Sequence, residues 1–167
     1  AAEAITLGKT IACTNNGEVQ GDSDVGGIAG SLSIENDADP ESDLSSTDAL
    51  VRNTYSMKTA VIDCVNRGEV SARRECAGGI CGKADLGYIA GCASYGDISV
   101  EDGTYAGGVV GLSYAKVQGC VAKCSLSGSK YVGGILGNGY SGSGEDRSSQ
   151  VSGCYTDRKS TRLNSSH

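Results

Sequence analysis

Eight cysteines and a run of closely spaced carboxylates are the groups in this 167-residue chain best suited to chemistry. Cys13, Cys64, Cys92, Cys120 and Cys154 follow one another at intervals of 51, 28, 28 and 34 residues. Thiols could ligate a metal, close disulfides or fill a core as small apolar groups. Cys76-x-x-x-x-Cys81 and Cys120-x-x-x-Cys124 both miss the C-x-x-C spacing of a zinc ribbon, and His167 is the only histidine, so no metal ligand is assigned. Equivalent positions in stacked units would bring thiols within disulfide reach in an oxidising compartment. The regular recurrence nonetheless favours one buried row of small side chains.

The carboxylates of Asp37, Asp39, Glu41 and Asp43 alternate along the segment Ser33 to Asp48. Hard oxygen donors at that spacing could hold calcium, but the segment lacks the mid-loop glycine of an EF-hand, so it reads first as a solvated acidic loop. Asp63, Asp85, Asp97 and Asp102 could serve carboxylate-only catalysis on an outer face, although scattered acids are ordinary surface on a soluble repeat. No Ser-His-Asp or Cys-His pair and no H-E-x-x-H helix is present. Gly128-Ser129-Lys130 lacks the upstream glycine and following hydroxyl of a phosphate loop. No catalytic, cofactor-binding or metal residue is therefore expected, and the chain reads as non-enzymatic. Tyr88, Tyr95, Tyr105, Tyr114, Tyr131 and Tyr140 fall near turns; partial burial at loop bases is the first reading, and platforms for sugars or anchors for a protein the second.

What must position these groups is a repeat. Val25-Gly26-Gly27-Ile28-Ala29-Gly30 recurs as Ala77-Gly78-Gly79-Ile80-Cys81-Gly82, Ala106-Gly107-Gly108-Val109-Val110-Gly111 and Val132-Gly133-Gly134-Ile135-Leu136-Gly137. Each copy follows a second signature, best seen in Ile62-x-Cys64-x-x-x-Gly68-x-Val70, and a fifth unit opens at Val151-x-x-Cys154. The brief apolar-polar alternation of Ile62 to Val65 and Glu69 to Ser71 suits short strands and almost no helix. A period of 28 residues with about three strands per turn predicts an all-β repeat solenoid. A parallel β-helix is the leading form, and a looser solenoid or β-roll of antiparallel hairpins is the alternative. Gly17, Gly68 and Gly96 are expected at turns with positive φ. Either glycine of each pair is expected to clash with the neighbouring coil if replaced, with Ile28, Ile80, Val109 and Ile135 pointing inward.

Composition agrees with a stacked core. Phe and Trp are absent, Gly numbers 26 and Pro one, and small β-branched residues suit tightly stacked strands. A net charge of −6, with Arg73-Arg74 the one basic pair before residue 157, argues against nucleic-acid binding. No apolar stretch is long enough to span a bilayer. The chain opens Ala1-Ala2-Glu3 and its last repeat stops short, so it reads as a piece of a longer polypeptide. Residues 1–156 form the repeat segment, with an acidic insertion at 31–60. Residues 157–167 abandon the repeat grammar and read as the in-frame translation of a short-read sequencing adapter.

The paired glycines and the Cys64-Val65-Asn66-Arg67-Gly68-Glu69-Val70 signature together resemble the GLUG motif over about Ile11 to Cys154. Such repeats occur in large exported bacterial proteins, including haemagglutinin-like adhesins and the non-catalytic regions of immunoglobulin A-cleaving metallopeptidases. The resemblance implies an extracellular or cell-surface setting and a structural or adhesive segment. Its partners would be a host or cell-surface protein or glycan and the neighbouring repeats of the same chain. The alternative is an accessory repeat region of a larger secreted peptidase or glycan-active enzyme whose catalytic domain lies elsewhere.

Overall fold

A computed structural model describes residues 8–33, 59–140 and 149–157 and the backbone of 161–163. Every regular element among them is a strand, and every strand pair is parallel. Coil one holds β1 (Lys9–Ile11), β2 (Thr14–Asn15), β3 (Val19–Gly21), β4 (Val25–Gly26) and β5 (Ala29–Leu32). Coil two repeats the series as β6 (Ala60–Ile62), β7 (Val65–Asn66), β8 (Val70–Ala72), β9 (Cys76–Gly78) and β10 (Cys81–Ala84). Coil three runs from β11 (Tyr88–Ala90) through β12 (Ala93–Ser94), β13 (Ile98–Val100) and β14 (Tyr105–Gly107) to β15 (Val110–Ser113). Coil four has β16 (Lys116–Gln118), β17 (Val121–Ala122), β18 (Leu126–Gly128), β19 (Val132–Gly133) and β20 (Leu136–Gly139). Coil five adds β21 (Gln150–Ser152), β22 (Tyr155–Thr156) and β23 (Thr161–Leu163).

The fold is thus a parallel β-helix with five very short strands per full coil, not about three. The strands run only two to four residues, because a bend or turn cuts almost every one of them short. Equivalent strands of successive coils form five sheets, such as β1-β6-β11-β16-β21. Ala60, Tyr88 and Lys116 are consecutive rungs, 28 residues apart. The acidic insertion leaves between β5 and β6; its carboxylates at 37, 39, 41 and 43, like residues 158–160 and 164–167, lie outside the described residues. Within the terminal segment, Thr161–Leu163 pairs with Leu126–Gly128.

Side chains on the inner faces stack by kind. Val61, Ile89 and Val117 are fully buried, as are Ile80 and Val109, while Ile28 and Ile135 are half-buried on the outer coils. Cys64, Cys92 and Cys120 form the expected thiol row, with Cys13 exposed and Cys154 half-buried at its ends. The carbonyls of Cys13, Cys64, Cys92 and Cys120 each accept a hydrogen bond of 2.9 Å from the residue after the next rung's cysteine. Each thiol of the row donates to the carbonyl two residues earlier, at 3.3–3.5 Å, and from Cys64 onward also to one on the preceding coil. These contacts give a small apolar group somewhere to send its weak donor inside a dry core. All eight thiols are free.

Beside the thiols, Asn15 and Asn66 form a short amide pair that Ser94 and Ala122 continue on the next rungs. Asn66, fully buried, accepts from Asn15 Nδ2 at 3.0 Å and from the Gly68 amide at 3.2 Å, and donates to Gly68 O at 2.9 Å. Such satisfied polar side chains fix rung alignment, because a slip would strand them in an apolar interior.

The glycines differ from expectation in an instructive way. Gly17, Gly68 and Gly96 do not have positive φ; that conformation recurs at the residue before each row cysteine, Ala12, Asp63, Gly91, Gly119 and Gly153, and is also taken by Asp24 and Gly87. Gly68 and Gly96 are required instead by close approach, since a Cβ on either would run into the carbonyl of the equivalent glycine one coil back. Cys124, where the rule breaks, is buried beside Ser94. In each Gly-Gly pair the two glycines have separate duties. The first folds back on its own coil, as Gly107 does against the Val110 carbonyl, while the second meets the next coil, as Gly79 does against the Gly108 carbonyl and the Ser94 hydroxyl.

Candidate functional site

The tight turn at each Gly-Gly pair brings the two ends of a ten-residue stretch to one edge of the rod. In coil three that stretch is Tyr105-Ala-Gly-Gly-Val-Val-Gly-Leu-Ser-Tyr114, and in coil four Tyr131-Val-Gly-Gly-Ile-Leu-Gly-Asn-Gly-Tyr140. The pairing of Ala106 with Val132 puts Tyr131 on the rung after Tyr105, and that of Ser113 with Gly139 does the same for Tyr140 and Tyr114. The rings stack accordingly: Tyr105 and Tyr131 lie 5.2 Å apart at 18°, and Tyr114 and Tyr140 5.4 Å apart at 21°. The Tyr105 and Tyr140 hydroxyls, 3.3 Å apart, join the two stacks, and this bond pushes the Tyr105 phenol up to about 12.

Four tyrosines therefore make one continuous aromatic face. Tyr131 is 53% and Tyr140 39% exposed, and the other two are half-buried. This arrangement agrees with burial at loop bases for Tyr105 and Tyr114 but leaves their partners open to solvent. Tyr88 and Tyr95 stand elsewhere: Tyr88 donates to Gln118 at 2.6 Å, and Tyr95 lies 5.1 Å beneath the Arg67 guanidinium. A clue was legible in the chain, since Tyr-x-Gly-Gly-x-x-Gly-x-x-Tyr occurs in both units. Recognising it as one face required knowing that the glycine turn closes.

On the third sheet, an open cavity of about 520 Å³ is lined by Glu18, Glu69, Asp97, Glu101 and the Ser71, Ser99 and Ser127 row. Of the four acids considered from sequence, only Asp97 contributes here, and its Oδ1 accepts from the Ser125 amide at 3.0 Å. Asp63 occupies the positive-φ position, Asp85 lies 3.9 Å from Lys83, and Asp102 lines a second cavity with Arg73 and Arg74. That basic pair is engaged, both guanidinia binding Asp22 at 2.7 and 3.0 Å. The four acids are thus dispersed over separate surfaces.

Apart from Cys92, which its hydrogen bond with Cys120 lowers, the buried thiols are poor nucleophiles. Burial pushes Cys81 up to about 12 and Cys124 to about 11, and it raises Cys64. Cys120 is raised by its hydrogen bond to Cys92 and by burial. A thiol held protonated attacks slowly, so the row suits packing. No helix among the described residues is long and apolar enough to cross a membrane. Compared with family models, curated proteins and solved structures, the chain matches none.

Proposed function

We propose that this chain is a rigid structural and adhesive segment of a bacterial exported or cell-surface protein of the GLUG-repeat kind, without catalytic activity of its own, which engages a glycan through its tyrosine face. The observation that carries the reading is the four-ring cluster of Tyr105, Tyr114, Tyr131 and Tyr140 on one edge. Aromatic rings offer apolar faces to the C–H faces of sugars, and the phenols offer hydrogen bonds to their hydroxyls. Because Tyr105 lies on β14 and Tyr114, Tyr131 and Tyr140 each adjoin the end of a paired strand, the platform is held in place before binding, and little ordering cost attaches to its use.

The test is a glycan array probed with the protein and with Tyr131→Ala and Tyr140→Ala. Both rings are exposed, so either change should leave the fold intact while weakening retention about five- to thirtyfold, the loss of one stacking contact of about 1–2 kcal/mol. Retention unchanged in both variants, or no glycan retained by the parent protein, would refute the assignment.

A further inference from the structure

The same edge carries a different set of groups in coils one and two. The pairing of Val25 with Ala77 places Asp24 and Cys76 on adjacent rungs at the position that Tyr105 and Tyr131 hold further along. Asp24, Glu75 and Cys76 bring one carboxylate oxygen each and the Cys76 sulfur to within 4.8 Å of one another. We propose that these three side chains form a binding site for a borderline-soft divalent transition ion of the zinc class, clamping coil one to coil two.

One unfilled valence points to a ligand. Asp24 is half-buried, and its Oδ1 is buried with no hydrogen-bond partner; a carboxylate oxygen left so is costly unless something positive meets it. Cys76, only 1% exposed, sets its thiol in hydrogen-bond contact with the Asp24 side chain. The five row thiols and Cys81 donate to backbone carbonyls, whereas Cys76 has Asp24 as its side-chain neighbour. A thiolate with two carboxylates is a donor set for zinc and its neighbours, with a fourth position for water. Calcium and magnesium would not choose a sulfur ligand. Burial and the Asp24 charge hold the thiol protonated when no ion is bound, so binding releases that proton to solvent as the S–metal bond forms. Lys83 also faces Cys76 and lies 3.9 Å from Asp85, a charge that can serve as its partner. Glu75 is exposed and lines an open cavity of about 480 Å³ with Arg73, Arg74, Asp102 and Thr104, which supplies the way in.

The site is tested with Zn²⁺ by calorimetry and with Co²⁺ by absorption, on full-length protein carrying Cys13→Ser so that the exposed thiol is silent. The expected result is one ion per chain, a thiolate-to-cobalt charge-transfer band, and a rise in unfolding temperature with Zn²⁺. Cys76→Ser should abolish the band. Glu75→Gln, an exposed change that leaves folding alone, should weaken binding at least about tenfold. Absence of Zn²⁺ binding, or binding equally strong in Glu75→Gln and Cys76→Ser, overturns the proposal. Loss of glycan retention in the tyrosine variants would leave this result untouched, so the two readings fail separately.

Discussion

Substituting Gly119 by alanine isolates a backbone effect from every packing effect. Gly119 has φ +60°, and a Cβ there would meet no atom within 4 Å. Any loss of stability must therefore come from the left-handed conformation itself, which costs an L-residue about 1–2 kcal/mol. Alanine also has a less disordered unfolded chain than glycine, returning about 0.5–1 kcal/mol. The net expectation is a destabilisation of about 0.5–1 kcal/mol, or about 2 °C in a domain of this size. The comparison variant is Gly17→Ala. Gly17 lacks positive φ, and its nearest neighbour to an added Cβ is Asn15 Oδ1 at an ordinary 3.6 Å, so only the favourable chain-entropy contribution operates there. Ala12, at φ 54° in coil one, supplies the reverse case, and Ala12→Gly should stabilise. Urea unfolding of the three variants beside the parent protein gives the ordering directly, provided the slopes agree. Gly119→Ala as stable as the parent, or Gly17→Ala losing as much as Gly119→Ala, would refute the placement of the left-handed turn before each cysteine.

Three further outcomes follow from the same geometry. Thiol titration of the native protein with a disulfide reagent should modify Cys13 rapidly and Cys154 more slowly while sparing the six buried cysteines, and all eight should react in denaturant; rapid modification of four or more native thiols would contradict the row. Cys124 is raised by burial from 9.0 to about 11, so the unfolded chain releases that proton first; its contribution is intact below about pH 9 and lost as pH climbs towards 11, at a slope of up to about 1.4 kcal/mol per unit. Urea midpoints measured from pH 8 to 10 should fall, and Cys124→Ala should fall less steeply; equal slopes would count against it. Asn66→Ala strands the Gly68 amide and carbonyl and the Asn15 amide, and should cost about 2–3 kcal/mol in the same unfolding assay, with a loss below about 1 kcal/mol as the contrary result.

Much of the fold was legible because the repeat writes it several times over. The spacing of Cys64, Cys92 and Cys120 gave the rung interval, and the brief alternation around Ile62 and Val70 gave strands. The number of strands per coil was not legible, since two-residue strands such as Val65–Asn66 carry no periodicity to count. The glycines misled for a related reason. Positive φ and close approach both select glycine, and the chain alone does not distinguish Gly68, chosen for space, from Gly119, chosen for φ. The left-handed position was further disguised by Ala12 and Asp63, which adopt it without being glycine. At the edge, each tyrosine could be placed near a turn, but the stacking of Tyr105 on Tyr131 depends on coils that lie far apart in the chain. The Asp24–Cys76 meeting was hidden more deeply still, because the insertion separates rungs that touch.

Rung-on-rung stacking is the claim on which the tyrosine face, the thiol row and the Asp24–Cys76 pair all depend, and paired nitroxide labels measure it most directly. Residues 67, 95 and 123 are exposed and occupy consecutive rungs, since the Tyr95 amide donates to Asn66 O and the Lys123 amide to Ser94 O, both at 2.8 Å. In a Cys13→Ser, Cys154→Ser background, Arg67→Cys with Tyr95→Cys should give dipolar broadening for backbones about 5 Å apart, and Arg67→Cys with Lys123→Cys for about 10 Å. Sharp, uncoupled spectra from both pairs would contradict the stacked coil.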